Sequence, residues 1–437
     1  MRALVLSLVL PLLAMPTVAR SAPVEVGLTP LLLQVEQRAP ALRGAAATAA
    51  AARSGRRAAQ SGYWGEVTLF GSDRHADDPQ LVEPISPPVN IGGMAFDDDI
   101  ATYGVRARLP LDVNGNLRAQ VAAARGGERG ARSDRDQLRL DLLNRAARLY
   151  HDLQRIAGER TALTLEKSAL EEQARVAAAK VKVGRLPAVE VVRLRAEVAG
   201  VRGRLATLDG EEAAVRAGIA ALLDGPGYTE AVVVEPWAPE APRAADADTR
   251  ERPDVRAARA RVAAAKARLR GSHATRLPAM AVTATARHDQ GWLGATGDHW
   301  QAEVEASLPL FDGGRRRRQV DGAAAEVAAA EARLALVQAT ARAEVATARG
   351  RWVAAGNGYQ AAVDGLDAAA ETATIQRDRF AVGRLSAADL VDAEATLAAA
   401  RAAFTTALAT WWQADDDYRL ALGLEPAAYG TPASPAP

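Results

Sequence analysis

Asp389 and Asp392 stand three residues apart at the start of a long amphipathic run, so they share one face of a helix built there. Carboxylates at this spacing attract cations and repel each other. The same pair also suits a plain helix start, where the helix dipole favours negative charge. Glu190 occupies the matching place in an earlier run, but Arg193 follows it three residues on. Another acidic group, Asp97-Asp98-Asp99, closes an acid-rich segment from Asp73 to Asp99 that reads as a long solvated loop. Four consecutive arginines, Arg315 to Arg318, open a further helical run, at either a solvated helix start or a lipid-headgroup boundary. None of these groups is a catalytic constellation. With no cysteine, disulfides, thiolate metal sites and a cysteine nucleophile are excluded. The five histidines are scattered without metal-ligand spacing, so no metal, cofactor or enzymatic activity is expected. The 54 basic and 53 acidic residues nearly cancel, which gives no electrostatic case for a nucleic-acid partner.

The elements that position these groups occur twice. Val183-Gly184-Arg185-Leu186 returns 199 residues later as Val382-Gly383-Arg384-Leu385. At the same offset, Leu109-Pro110-Leu111 matches Leu308-Pro309-Leu310. A repeat on this scale fixes architecture before any motif does. Each copy reads as a helix, a strand pair, a very long helix, a tight turn and a returning helix. The opening helices are Thr29 to Gln60, broken at Pro40, and the one begun by Arg252-Pro253-Asp254. The long helix from Leu117 to Val183 would span about 100 Å at ~1.5 Å per residue. Gly126-Gly127 and Gly130 are expected to interrupt it, and Gly356 and Gly358 its counterpart. The returning helices carry five heptads each: Val191, Val198, Leu205, Glu212 and Ile219 in one, Leu390, Leu397, Phe404, Trp411 and Tyr418 in the other.

The strands alternate. Tyr103, Val105, Ala107 and Leu109 point one way, Arg106 and Arg108 the other; Trp300, Val304 and Ala306 alternate with Glu303 and Glu305, and Ala286 with Arg287. The first strand falls around Gly62 to Ser72, and a short loop runs from Asp289 to Asp298. Such strands suit a membrane barrel with a polar lumen, and equally a half-buried sheet in a soluble domain. In lipid, four strands would leave unsatisfied backbone at both edges, so several chains must close the ring. Three chains would give twelve strands.

The remaining segments are simpler. Residues 1–21 read as a signal peptide: Arg2, an apolar stretch from Ala3 to Met15 too short to span a membrane, then small residues near Ala19. The first unit then covers 22–225, a linker 226–251, the second unit 252–425, and a Pro/Ala/Ser-rich tail 426–437.

On Arg252-Pro253-Asp254, Leu308-Pro309-Leu310-Phe311-Asp312-Gly313-Gly314 and the turn Val382 to Ser386, the chain resembles the TolC-like outer membrane efflux proteins over nearly its whole mature length. The resemblance implies a mainly α-helical homotrimer, with a twelve-stranded barrel in outer-membrane lipid and a coiled-coil tunnel in the periplasm. It implies an exit duct for efflux or secretion, partnered by a periplasmic adaptor and an inner-membrane transporter. Gly184, Arg185, Leu186, Gly383, Arg384, Leu385 and Ser386 would dock the adaptor. Asp389 and Asp392, with Glu190, would ring the periplasmic aperture, and Arg106, Arg108, Arg287, Glu303 and Glu305 would line the lumen. Arg185 and Arg384 depart slightly from the family's turn. A periplasmic adaptor and a coiled-coil scaffold are the alternatives; each has long helical hairpins without matched strand pairs.

Overall fold

The computed structural model describes residues 27–82, 95–184, 187–223, 248–382 and 384–426. Arg185, Leu186 and Gly383 fall outside them, as do the signal peptide and most of the linker and tail expected from the sequence. Two helices open the chain, α1 (Leu28–Arg38) and α2 (Pro40–Ser61). Strands β1 (Glu66–Leu81) and β2 (Phe96–Leu111) lead into α3 (Asn116–Lys182), and α4 (Ala188–Leu223) returns. The order is then repeated by α5 (Pro253–Ala274), β3 (Ala279–Gly291), β4 (Thr296–Ser307), α6 (Arg315–Ala381) and α7 (Ala387–Ala421). Pro at the first position of α2 and α5 loses no hydrogen bond there.

Helices α3 and α6 are each 67 residues long. Both start after a glycine in the left-handed region, Gly115 at φ 79° and Gly314 at φ 84°. Neither is interrupted, which corrects the breaks expected at Gly126, Gly127, Gly130, Gly356 and Gly358. Two of these glycines are packing positions. A Cβ on Gly126 would come 2.8 Å from Ala264 Cβ and 3.0 Å from the Ala260 carbonyl oxygen, so its absence lets α3 lie close against α5. At Gly356 the added atom would meet Trp411 Nε1 at 3.3 Å. A long helix tolerates the propensity cost of glycine when the contact repays it.

Four helices lie side by side in the order α2, α3, α5, α6. The far half of α3 packs on α4 and α7, and α6 packs on α7. One core joins Leu31, Leu32 and Val35 of α1 to Leu143, Tyr150 and Leu153 of α3 and Ile219 of α4. A second sits near the turns and joins Leu170 and Ala177 to Val191, Leu194, Phe380 and Leu390. The heptad seams therefore face inward, as their period requires. The outer helices of the row are nearly bare: Ala49 is the one buried residue of α2, and five of the 67 in α6 are buried.

The sheet is antiparallel in the order β1-β2-β3-β4. Its strands run further than the sequence pattern suggested. Both ends of the expected acidic loop from Asp73 to Asp99 are strand, because β1 continues to Leu81 and β2 begins at Phe96; residues 83–94 lie outside the described residues. Likewise β3 and β4 take up all but a short turn of the expected loop from Asp289 to Asp298. Polar residues on both faces hid the alternation there, while ladder hydrogen bonds still formed. At the other end, Gly62–Trp64 is one 3₁₀ turn and the first strand starts only at Glu66.

Candidate functional site: a two-faced sheet, a turn and an acidic pair

Register decides what the sheet presents. Leu69, Val105, Ala286 and Trp300 lie in one row across the four strands, and Val67, Ala107, Ala284 and Ala302 in the next on the same face. The opposite face carries the rows Glu66, Arg108, Thr283, Glu303 and Thr68, Arg106, Thr285, Gln301. The apolar face is left uncovered, with Leu69 80% and Trp300 82% accessible, while the polar face is open at Arg106, Arg108, Glu303 and Glu305 but buries Thr285 and Asp289 along β3. A sheet in water buries its apolar side, so this inversion marks an apolar solvent outside and a wet interior.

All five residues expected to line a lumen share the polar face. Arg106 lies over the Phe70 ring at 4.9 Å. Arg108 pairs with Glu305 at 3.7 Å. Asp289 collects Arg287 Nε at 3.1 Å, His299 Nε2 at 3.2 Å and a hydrogen bond from Thr102 Oγ1 at 2.6 Å. Glu303 stands opposite Thr283 in the register.

Two His–Asp pairs that sequence reasoning missed bridge the apolar side near the far end. His75 Nδ1 is 2.7 Å from Asp99 Oδ1, and His288 Nδ1 is 2.7 Å from Asp298 Oδ1. The histidines are 213 residues apart, the offset of Pro40 and Pro253, and the aspartates 199 apart, the offset of the two turns. Asp97 does something else: it accepts the Leu293 N–H at 2.7 Å and so pins the β3–β4 turn.

At the opposite end, Gly184 adopts φ +69°, a conformation that a side chain would strain, and its N–H reaches the Val181 carbonyl. Ser386 caps α7: its Oγ accepts the Asp389 N–H at 3.1 Å and donates to Asp389 Oδ2 at 2.7 Å. Asp389 is therefore both a cap partner and an exposed anion. Asp392, one turn on, is exposed. Among the described residues, neither has a cation within ion-pair distance. Glu190 differs. Its Oε2 is shielded from solvent without a hydrogen bond, and Arg193 Nη1 lies 3.7 Å away. The acids of the second turn thus stand without a paired cation among the described residues, while Glu190 has Arg193 beside it. Arg384 and Ser386 are exposed beside them, with Leu385 partly covered.

A polar belt halfway along the helices also escaped sequence reasoning. Arg252 bonds Asp254 through Nε and Nη2, Glu344 at 2.7 Å, and the Ala421 carbonyl at 2.7 Å. Burial works against its charge, but the bonds to Asp254 and Glu344 outweigh it and hold the guanidinium above its ordinary value. Next to it run Asp415, Asp416 and Asp417. Asp415 meets Arg419 at 2.8 Å and the Trp352 indole at 3.1 Å, Asp416 meets buried His151 at 3.0 Å, and Asp417 meets Arg148 at 2.9 Å. Burial pushes the Asp415 carboxyl above its usual range, with Arg419 partly opposing. The signal available was three successive acids inside an apolar heptad register, where at least one must be buried and needs a partner.

Comparison with known proteins fits this geometry. The chain is 26% identical over 250 residues to the multidrug resistance outer membrane protein MdtP of Shigella flexneri, a match covering 55% of this chain and 51% of that protein. It thus spans about half the length of the curated relative it matches. The fold is that of the outer-membrane channel OprN, at TM-score 0.76 and 22% identity, with 91% of this chain and 89% of the other covered. It is also that of the outer membrane protein VceC from Vibrio cholerae, at TM-score 0.76, 21% identity, and coverage of 91% and 96%. A family model for outer membrane efflux proteins matches residues 31–225 and 248–424, and the chain belongs to that family.

Proposed function

We propose that the protein is the exit duct of a tripartite efflux or secretion system, a homotrimeric channel through the outer membrane and periplasm. The observation that carries this reading is the inverted sheet, with Leu69 and Trp300 outward and Thr285 and Asp289 inward. Both sheet edges, β1 and β4, lack a strand partner among the described residues. In hydrocarbon each open edge group costs several kcal/mol, so the sheet must close with copies of itself. Bare α2 and α6 lie at the matching edges of the helical row, and copies would cover them by the same operation. The two units, 22–225 and 252–425, then act as pseudo-equivalent staves joined by 226–251.

In this reading Arg106, Arg108, Arg287, Glu303 and Glu305 face water in the barrel. Asp389 and Asp392 ring the aperture, where like charges from three chains favour cations. Glu190 contributes less, because Arg193 stands beside it. The turns around Gly184, Arg185, Leu186 and around Gly383, Arg384, Leu385, Ser386 receive a periplasmic adaptor, which couples the duct to an inner-membrane transporter. The transporter supplies energy and selection, and this chain supplies no catalytic step. Among the described residues no helix is long and apolar enough to cross a membrane, and in this reading the strands carry the contact with lipid. The test is mass and conductance together. Detergent-purified protein should weigh three chains by native mass spectrometry and open single channels in planar bilayers. A monomer that leaves membranes in carbonate would overturn the proposal in favour of a coiled-coil scaffold or an adaptor.

A further inference from the structure

Where β4 hands over to α6, two apolar side chains stand almost wholly in the open. In the single chain, before a copy closes on the neighbouring edge, Leu310 is 93% and Phe311 90% accessible, more than any apolar residue of the uncovered sheet face. They follow directly on the strand whose outward residues include Trp300 and Val304. Next come Arg315, Arg316, Arg317 and Arg318. Arg316 is used locally: it pairs with Asp312 at 2.6 Å and bonds the Thr275 and Pro309 carbonyls, fixing the turn. Arg315, Arg317 and Arg318 are exposed and make no ion pair among the described residues, although Asp321 lies within one helical turn of Arg318.

Three unpaired arginines at this end of a helix are electrostatically misplaced, since the helix dipole there favours anions. The matching junction of the first unit lacks the feature. α3 starts Asn116-Leu117-Arg118, and Arg118 is taken by Asp112 at 2.9 Å. A neighbouring copy offers no relief either. The helix that would close against α6 is α2, which holds Arg43, Arg53, Arg56 and Arg57 and no acid. Glu66, the first residue of its β1, lies on the polar inner face. Asp321, four residues from Arg317 and three from Arg318, is one acid against three arginines, so an excess of positive charge is left to be met from outside the protein.

We propose that Leu310, Phe311, Arg315, Arg317 and Arg318 form a docking surface for anionic phospholipid of the periplasmic leaflet. The two apolar side chains enter the acyl boundary, and the three guanidiniums clasp the phosphate, which suits their planar donor geometry. The surface continues the apolar sheet face downward and adds charge where that face meets water. This inference rests on the reading of the sheet as membrane-spanning. It fixes the depth of the barrel: the β4–α6 junction stays at headgroup level, while an apolar belt alone would let it slide.

The test uses the full chain purified in detergent, with the trimer mass and bilayer conductance recorded first; if these fail, the membrane reading fails and not this site alone. Native mass spectrometry then measures retention of phosphatidylglycerol, phosphatidylcholine and inorganic phosphate. The wild type should retain phosphatidylglycerol at least tenfold over phosphatidylcholine. Arg315→Gln, Arg317→Gln and Arg318→Gln together should remove that preference, the triple Lys variant should restore only the part that charge alone supplies, and Leu310→Ser with Phe311→Ser should weaken lipid retention. Three results would overturn the proposal: a triple Gln variant that keeps the preference, one that no longer forms trimers (which would make the arginines subunit contacts), or inorganic phosphate held as well as the lipid.

Discussion

Arg252 Nη1 donates to the Ala421 carbonyl oxygen across 2.7 Å, tying the first residues of α5 to the last turn of α7, 169 positions away in the chain. The same guanidinium holds Asp254 and Glu344. One side chain thus caps a helix end, whose carbonyls otherwise lack partners, and joins three helices of the second unit. Asp254 and Glu344 are partly exposed and would be met by water, but the Ala421 carbonyl would lose its donor, so Arg252→Met should cost about 1–2 kcal/mol. Thermal unfolding followed by circular dichroism would show this as a lower midpoint, and an unmoved midpoint would refute the clamp.

Adjacent glycines in α3 should respond in opposite directions. Gly127 has open space around it, so Gly127→Ala should stabilise the helix by about 0.5–1 kcal/mol. Gly126 lies against Ala260 and Ala264, so Gly126→Val should destabilise by about 1–3 kcal/mol through overpacking. Equal shifts of the two denaturation midpoints would show that α3 and α5 are not in close contact.

The stability of the belt should depend on pH through Asp415. Its folded-state pKa is raised by burial, so the folded protein holds this proton more tightly than the unfolded chain. The stabilising contribution of the protonated acid is therefore full below the ordinary aspartate pKa and is lost as pH rises through the raised value. Asp415→Asn removes the titration. The stability of wild type relative to this variant should increase as pH falls from 7 into the mildly acidic range above about 4. A difference that stays constant with pH would contradict the assignment.

The two aspartates after the second turn should separate by phenotype. Among the described residues the Asp392 carboxylate has no side-chain partner, so Asp392→Asn should change conductance and divalent-cation block in planar bilayers without moving the unfolding midpoint. Asp389 also closes the cap with Ser386, so Asp389→Asn should move both, and Ser386→Ala should cost about 1 kcal/mol. Glu190→Gln, beside Arg193, should do little to conductance. If all three acids can be neutralised with no change in block, the aperture lies elsewhere.

The two sheet faces make a sharp contrast for substitution. Val105→Arg puts a charge on the exposed apolar face and should cost about 2–4 kcal/mol, or abolish assembly in the membrane. Arg106→Gln, the next residue on the polar face, should assemble normally and alter ion selectivity only. Fractionation of both variants into membranes would decide, and indifference at both positions would argue against lipid on either side.

The alternation of Tyr103, Val105, Ala107 and Leu109 with Arg106 and Arg108 was legible because strand geometry has period two, whatever the partner. The heptads of α4 and α7 and the turn at Gly184 were legible for the same reason: local periodicity and backbone chirality are written in consecutive residues. Where the strands end was not, because past Ser72 and before Tyr103 polar residues occupy both faces and only cross-strand hydrogen bonds, such as the register of His75 with Asp99, define the element. Nor were the glycines of α3, whose meaning depends on Ala260 and Ala264 more than a hundred residues away. The sequence alone determined the elements, their order and their repetition. Only the tertiary structure decided that the apolar face of the sheet is left uncovered, that Arg252 closes α7, and that Arg315, Arg317 and Arg318 stand without an ion pair among the described residues beside bare Leu310 and Phe311. Burial and charge pairing are properties of neighbours in space, and no local pattern records them.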